Sequence, residues 1–284
     1  MGARYAVFGQ PIAHSLSPRI HAAFARALKL DIDYRAIESA PRNFAASLTR
    51  FAASGGAGAN VTLPLKRDAS SLCSTLSDRA TRAGSVNTLS RSADGWFGDS
   101  TDGVGLLRDL RARHGIDPGG MRVLLLGAGG AACAIAPALL DSETPGLLLA
   151  NRSFDRASEL ARRLGNRVRT TAWDDLDRLD PVDLLIDATS AGHASASLDL
   201  PAGLVAPHSV CYTLSYGRAA GSFSGWAHAA GAKQVIDGIG MLVEQAAESF
   251  VLWHGVKPDV DSVVAELRAH LDASAMPGGL GTSG

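Results

Sequence analysis

Four short, unbroken apolar runs in the second half of the chain constrain its fold more than any other feature. They are Val123-Leu124-Leu125-Leu126, Leu147-Leu148-Leu149-Ala150, Leu184-Leu185-Ile186 and Val210-Cys211-Tyr212, with mostly helix-like stretches between them. Strands covered on both faces read this way, so the runs predict a parallel, doubly wound sheet, with Gln234-Val235-Ile236 as its last strand. Directly after the first run comes Gly127-x-Gly129-x-x-Ala132, leading into the small residues Cys133-Ala134-Ile135-Ala136. In that strand–loop–helix setting Gly127 permits the tight turn and Gly129 lets the backbone approach a pyrophosphate. Ala132 lets the helix pack close, with its first amides aimed at the phosphates. Gly127, Ala128, Gly129, Gly130 and Ala131 are thus the expected dinucleotide loop; the bland alternative is a plain tight turn.

The end of the second run selects the cofactor. An NAD site usually has an acidic residue there, but this chain has Asn151-Arg152-Ser153-Phe154-Asp155-Arg156. Asn151, Arg152, Ser153 and Arg156 make a good cradle for a ribose 2′-phosphate, so NADP is favoured over NAD. Asp155 is less suited to a ribose because it falls inside the helix start. The competing reading makes the arginines a solvated helix face.

The first third alternates strand and helix patterns. Arg4 to Gly9 reads as a buried strand, and Ser17-Pro18 as a helix start with Ser17 as its cap. Asp33 to Glu38 suggests a second strand, Phe44 to Ala53 a helix, and Asn60 to Leu63 a third strand stopped by Pro64. Val86 to Leu89 and Trp96-Phe97 look like a hairpin. Val104 to Arg113 is an amphipathic helix closed by Gly115, and Met241 to Trp253 a final helical region. Pro118-Gly119-Gly120 marks a boundary, and the Gly/Ser-rich tail from Ser274 is expected to be disordered.

With 284 residues the chain can form two domains, and 46% hydrophobic against 19% charged residues supports a substantial core. A net charge of −1 argues against nucleic acid or an anionic membrane as partner. No apolar run reaches membrane-spanning length, and the N-terminus reads as strand and turn rather than a secretory signal. Cys73, Cys133 and Cys211 are widely spaced without a CxxC pair, which suits a reducing, cytoplasmic location; no metal is expected.

Chemistry concentrates at Lys66, in Asn60-Val-Thr-Leu-Pro-Leu-Lys66, and at Asp102, in Gly98-Asp-Ser-Thr-Asp102-Gly103. A lysine and a carboxylate able to share a proton, beside a nicotinamide, suit reversible oxidation of an alcohol. The bland readings are a solvated lysine and a helix-start aspartate favoured by the dipole.

These stretches, with Phe8-Gly-Gln-Pro-Ile-Ala-His-Ser-Leu-Ser-Pro18, Gly84-Ser-Val-Asn-Thr88 and Asp237-Gly-Ile-Gly-Met241, resemble the shikimate dehydrogenase family in order over residues 4 to 265. The resemblance implies NADPH-dependent reduction of 3-dehydroshikimate to shikimate, on the route to chorismate and aromatic amino acids. It implies an α/β substrate and catalytic domain over residues 1–103 and a Rossmann-type NADP domain over 104–238, with the active site in the cleft between them. C-terminal helices over 239–273 would return to the substrate domain, ahead of a tail at 274–284. Lys66 and Asp102 would be the catalytic pair. Ser15 and Ser17 would hold the substrate carboxylate, with Tyr216 near it, and Asn60, Thr62, Asn87 and Gln245 would meet the ring hydroxyls. Thr189, Leu214 and Gly238 would join the cofactor wall. The expected partner is the small-molecule substrate alone, with no nucleic acid and no membrane, in a monomer or homodimer.

Some positions depart from the family pattern. Thr213 stands where Asp is usual, Asp187 and Ser100 replace a common Asn, and Gly130-Ala-Ala-Cys133 lacks the usual Ser-Arg/Lys. An acid at Asp187 close to the pyrophosphate would weaken cofactor binding by like-charge repulsion. Rival readings are a quinate/shikimate dehydrogenase with relaxed cofactor use and a catalytically silent NADP-binding sensor. A methyltransferase would share the glycine loop but leave the arginines unexplained.

Overall fold

The computed structural model describes residues 2–190 and 198–275, which form two six-stranded sheets joined by two crossing helices. In the first sheet β1 (Ala3–Gly9), β2 (Ile32–Glu38), β3 (Gly56–Val61), β4 (Thr75–Leu76), β5 (Thr88–Ser92) and β6 (Gly95–Asp99) lie in the order β2-β1-β3-β5-β6-β4. Pairing is parallel among β2, β1 and β3 and antiparallel along β3, β5 and β6. The second sheet contains β7 (Val123–Leu126), β8 (Leu147–Ala150), β9 (Val168–Thr171), β10 (Leu184–Asp187), β11 (Val210–Thr213) and β12 (Gln234–Ile236). It is wholly parallel, ordered β12-β11-β10-β7-β8-β9. The apolar runs have the predicted cause: Leu125, Ile186 and Tyr212 enter the core on one face, and Leu124, Leu185 and Cys211 the core on the other.

Ten α-helices among the described residues cover these sheets: α1 (Ser17–Leu28), α2 (Phe44–Ala53), α3 (Lys66–Ser71), α4 (Asp78–Ala83), α5 (Asp102–Arg108), α6 (Gly130–Asp141), α7 (Phe154–Leu164), α8 (Gly221–Ala229), α9 (Ile239–His254) and α10 (Val260–Ala275). α5 leaves the first sheet for the second, and α9 and α10 come back to bury Val243, Phe250, Val264 and Leu267 against Ile20 and Phe24 of α1. Arg79 bridges Asp99 of β6 (2.5 Å) and Glu248 of α9 (3.0 Å), tying that return to the first sheet.

Several expectations need correction. β3 starts at Gly56, not Asn60, and ends at Val61, because glycines hide its pattern: a Cβ on Gly58 would come within 2.5 Å of the Trp253 indole. β9 has no apolar run to betray it because, at the sheet edge, only Val168 of its residues is buried. The stretch 104–113 is not one regular helix. α5 gives way to a π-turn over Asp109–Arg113, where the buried Asp109 carboxylate packs against Gly240 and accepts from Tyr212 OH at 2.6 Å. Ser17 does not cap α1; it is the first helical residue, and the hydroxyl facing its N–H is that of Ser15, at 3.3 Å. α10 runs through Ala275, so the tail expected from Ser274 is helical for two residues; 276–284 lie outside the described residues.

Candidate active site

Between the two sheets lies a cleft of about 770 Å³. Every residue singled out above for substrate or cofactor lines it: Ser15, Ser17, Asn60, Thr62, Lys66, Asn87, Asp102, Tyr216 and Gln245 with Gly127, Ala128, Gly129, Gly130, Ala131, Asn151, Arg152, Ser153, Arg156, Thr189, Leu214 and Gly238.

Lys66 and Asp102 are each the first residue of a helix, α3 and α5, and their side chains meet deep in the cleft. Nζ of Lys66 donates to Oδ2 of Asp102 at 2.5 Å, with the side chains 11% and 5% exposed. Lys66 arrives there through the cis Leu63–Pro64 bond that follows β3. Asn87 Nδ2 donates to the other oxygen, Asp102 Oδ1, at 2.8 Å, and so holds the carboxylate from behind. The same amide reaches Thr101 Oγ1 (2.8 Å) and Gln245 Oε1 (3.1 Å), while Thr101 N donates to Asn87 Oδ1 at 2.8 Å. Gln245 is fixed in turn by donating Nε2 to Leu242 O at 2.7 Å.

Asn60 is wired as tightly. Tyr34 OH donates to its Oδ1 at 2.7 Å, and its Nδ2 reaches Asn87 O (3.2 Å), Thr88 Oγ1 (3.2 Å) and Ser249 Oγ (3.0 Å). Sequence reasoning missed Tyr34, Thr88, Thr101 and Ser249; Thr88 and Thr101 stand beside Asn87 and Asp102 within the motifs, whereas the partners of Tyr34 and Ser249 come from elsewhere in the chain. Tyr34 stacks on His21 at 4.2 Å between ring centroids and 7° between planes. Burial pushes the Tyr34 phenol well above its ordinary value, with the Ser17 hydroxyl beside it, so the phenol keeps its proton as a donor. Burial also drives His21 down to about 3, leaving a neutral ring beneath the site. Tyr216 is raised by burial against a lowering contact from the Leu16 main chain, which places it at the uncapped N-terminus of α1.

On the opposite side the cofactor loop is bare. Gly127 adopts φ +109°, and a Cβ there would press on Ala188 O at 2.8 Å, so glycine is required. A Cβ on Gly129 would meet nothing within 4 Å, which leaves the backbone open to a ligand. α6 starts there without a side-chain cap, so its first amides remain available. Gly130 touches the other half: a Cβ there would stand 3.2 Å from Cβ of Lys66, and Ser85 Oγ donates to Gly130 O at 3.0 Å. Arg152 and Arg156 are exposed, with no acidic or hydrogen-bond partner among the described residues. Trp173, which the sequence did not single out, lines the cleft from the turn after β9.

Asp187 is not a naked charge. Its carboxylate, 3% exposed, accepts from Thr213 Oγ1 (3.0 Å), Thr189 N (3.0 Å) and Thr189 Oγ1 (2.7 Å). Thr213 lies opposite Asp187 in the β10–β11 register, so the two departures form one pair: the acid sits on β10 and its donor on β11.

No helix among the described residues is long and apolar enough to cross a membrane. Comparison with known proteins matches residues 7–89 to the shikimate dehydrogenase substrate binding domain. Residues 112–197 match the shikimate/quinate 5-dehydrogenase family, and 238–268 the shikimate 5′-dehydrogenase C-terminal domain. The chain is 53% identical over 268 residues to a shikimate dehydrogenase (NADP(+)) of Stenotrophomonas maltophilia strain K279a, covering 93% of this chain and 95% of the relative. Among solved structures, an Ael1 enzyme of Pseudomonas putida superposes with a TM-score of 0.86 at 37% identity, over 93% of this chain and 98% of that one. Shikimate 5-dehydrogenase of Thermus thermophilus in complex with NADP(H) and shikimate gives a TM-score of 0.81 at 33% identity, over 94% and 99%. The chain belongs to the shikimate dehydrogenase family.

Proposed function

We propose that this protein reversibly reduces 3-dehydroshikimate to shikimate with NADPH. The observation that carries the reading is the buried Lys66–Asp102 pair, 2.5 Å apart, set against the Gly130 backbone of the dinucleotide loop. The acid–base pair thus lies beside the loop that would hold the dinucleotide. The groups present fit NADP: an uncapped helix N-terminus behind Gly129 suits the pyrophosphate, and Arg152 and Arg156, without a partner among the described residues, suit a 2′-phosphate. Trp173 offers an apolar wall for the adenine. When bound, the nicotinamide supplies or accepts the hydride.

The remaining work falls to side chains of this chain. The uncapped start of α1, with Ser15 and Ser17, supplies donors for the substrate carboxylate. Asn60, Thr62 and Gln245 meet the ring hydroxyls. Lys66 delivers a proton to the oxygen that becomes the alcohol and takes it back in reverse. Asp102, steadied by Asn87, orients Lys66 and the reacting hydroxyl. The three free cysteines fit the reducing cytoplasm, and monomer or homodimer is the assembly this reading carries. NADPH formation from shikimate and NADP, followed by its absorbance, is the test. Folded protein that gives no turnover would sink the reading.

A further inference from the structure

Three of the amides that line the cleft, Asn60, Asn87 and Gln245, are each pinned by a group of fixed polarity. Asn87 donates to a carboxylate and accepts from a main-chain N–H; Gln245 donates to the Leu242 carbonyl; Asn60 donates to the Asn87 carbonyl. Main-chain carbonyls and carboxylates only accept and main-chain N–H groups only donate, so none of the three amides is free to flip.

Asn60 is the most informative case. One of its amide hydrogens goes to Asn87 O at 3.2 Å. The other meets Ser249 Oγ at 3.0 Å and Thr88 Oγ1 at 3.2 Å; the Ser249 hydroxyl has one hydrogen to share between Gln245 O at 3.1 Å and Thr88 Oγ1 at 2.7 Å, and either way keeps a lone pair to receive the amide. On the opposite side Tyr34 OH occupies one lone pair of Oδ1. No amide hydrogen of Asn60 is left over; what remains for the cleft is the second lone pair of Oδ1, because the neutral His21 ring, although close to Asn60, makes no hydrogen bond to it. Neither Tyr34 nor Ser249 lines the cleft, so both act through Asn60.

We propose that Tyr34 and Ser249 are positioning residues that fix Asn60 with its amide hydrogens inward, so that this part of the cleft accepts only and selects a ring hydroxyl able to donate. The proposal rests on the shikimate reading and adds the hydrogen-bond direction at one hydroxyl, together with the two residues that set it. The phenol suits this role because it is enclosed between His21 and Asn60. Its neighbour on the other side is Ser17, so one side chain links the carboxylate end of the site to a hydroxyl position.

The test compares kcat/KM for shikimate with that for its 4-deoxy, 5-deoxy and corresponding fluoro analogues, in wild type, Tyr34→Phe and Ser249→Ala, with thermal melting of each as a folding control. At the hydroxyl that meets Asn60, wild type should lose as much with fluorine as with hydrogen, because fluorine cannot donate. Both variants should reduce that discrimination about fivefold, mainly through KM, while discrimination at the other hydroxyl stays put. Two variants on opposite sides of Asn60 guard against one of them misfolding. A fluoro analogue that recovers the activity lost by the deoxy compound would show a donor at this position and overturn the proposal. So would equal losses on shikimate and all analogues in both variants, which would mark a structural role only. Wild type inert toward shikimate would overturn the parent reading and this proposal with it, an outcome visible before any variant is made.

Discussion

Asn60 and Asn87 reach the cleft with their amide hydrogens committed to protein acceptors, whereas Arg152 and Arg156 reach it with no partner among the described residues. On the substrate side the hydrogen-bond pattern exists before any ligand arrives, and a hydroxylated ring with fixed stereochemistry needs that, because each misplaced donor or acceptor would be buried unpaired. On the proposed cofactor side the donors would wait for phosphate charge, which binds strongly enough to organise exposed guanidiniums itself. Preorganisation is thus spent where the ligand is weakly charged and withheld where the ligand brings its own field.

The largest test of this contrast is Lys66→Ala, which should lower kcat by about two orders of magnitude or more with a much smaller change in KM. Unchanged kcat in steady-state assays would remove Lys66 from the chemistry. Next comes the double change Arg152→Ala with Arg156→Ala. It should raise KM for NADP by about tenfold to a hundredfold and leave KM for NAD nearly unchanged; added salt should erode the same preference in wild type. Equal effects on both cofactors would make these arginines a solvated helix face.

The uncharged support under the substrate site gives a pH test. The folded state holds His21 neutral down to about 3, while the unfolded chain takes up a proton below about 6.5. Its contribution to stability is therefore complete above about pH 6.5 and is lost as pH falls toward about 3, at about 1.4 kcal/mol per unit. His21→Phe should flatten that slope in denaturant titrations; an unaltered slope would mean that other groups carry it. The smallest effect belongs to Asp187→Asn. An amide accepts through only one of its two ends, so at least one threonine donor loses its partner, costing about 1 kcal/mol and a few degrees of Tm. KM for NADP should barely move. A clear gain in NADP affinity would show that the Asp187 charge does reach the pyrophosphate.

What can be read from the chain follows the range of the interactions involved. The parallel sheet is legible because burial on both faces writes itself into consecutive residues, as in Val123–Leu126, and the dinucleotide loop because its glycines adjoin that strand. β9 escapes because an edge strand with mixed burial has no such run. Lys66 and Asp102 are legible through the motifs that surround them. Tyr34 and Ser249 are not, since the bonds that give them meaning span 26 and 189 residues to Asn60 and leave no spacing to detect. Ser17 reads as a cap because a hydroxyl before proline fits that role locally, while its side chain is turned toward Tyr34. Asp187 and Thr213 each look like a defect until the strand register shows one compensated pair.

The shared wall between Gly130 and Lys66 has a consequence for how such an enzyme can diverge. With only 3.2 Å between a Cβ at 130 and that of Lys66, any bulk added to the dinucleotide loop at this point displaces the acid–base group as well. On the reading proposed above, a lineage exploring new cofactors has its freedom around Arg152, Arg156 and Trp173, away from Lys66, and little at Gly130. Cofactor preference can drift while the chemical step stays locked in place.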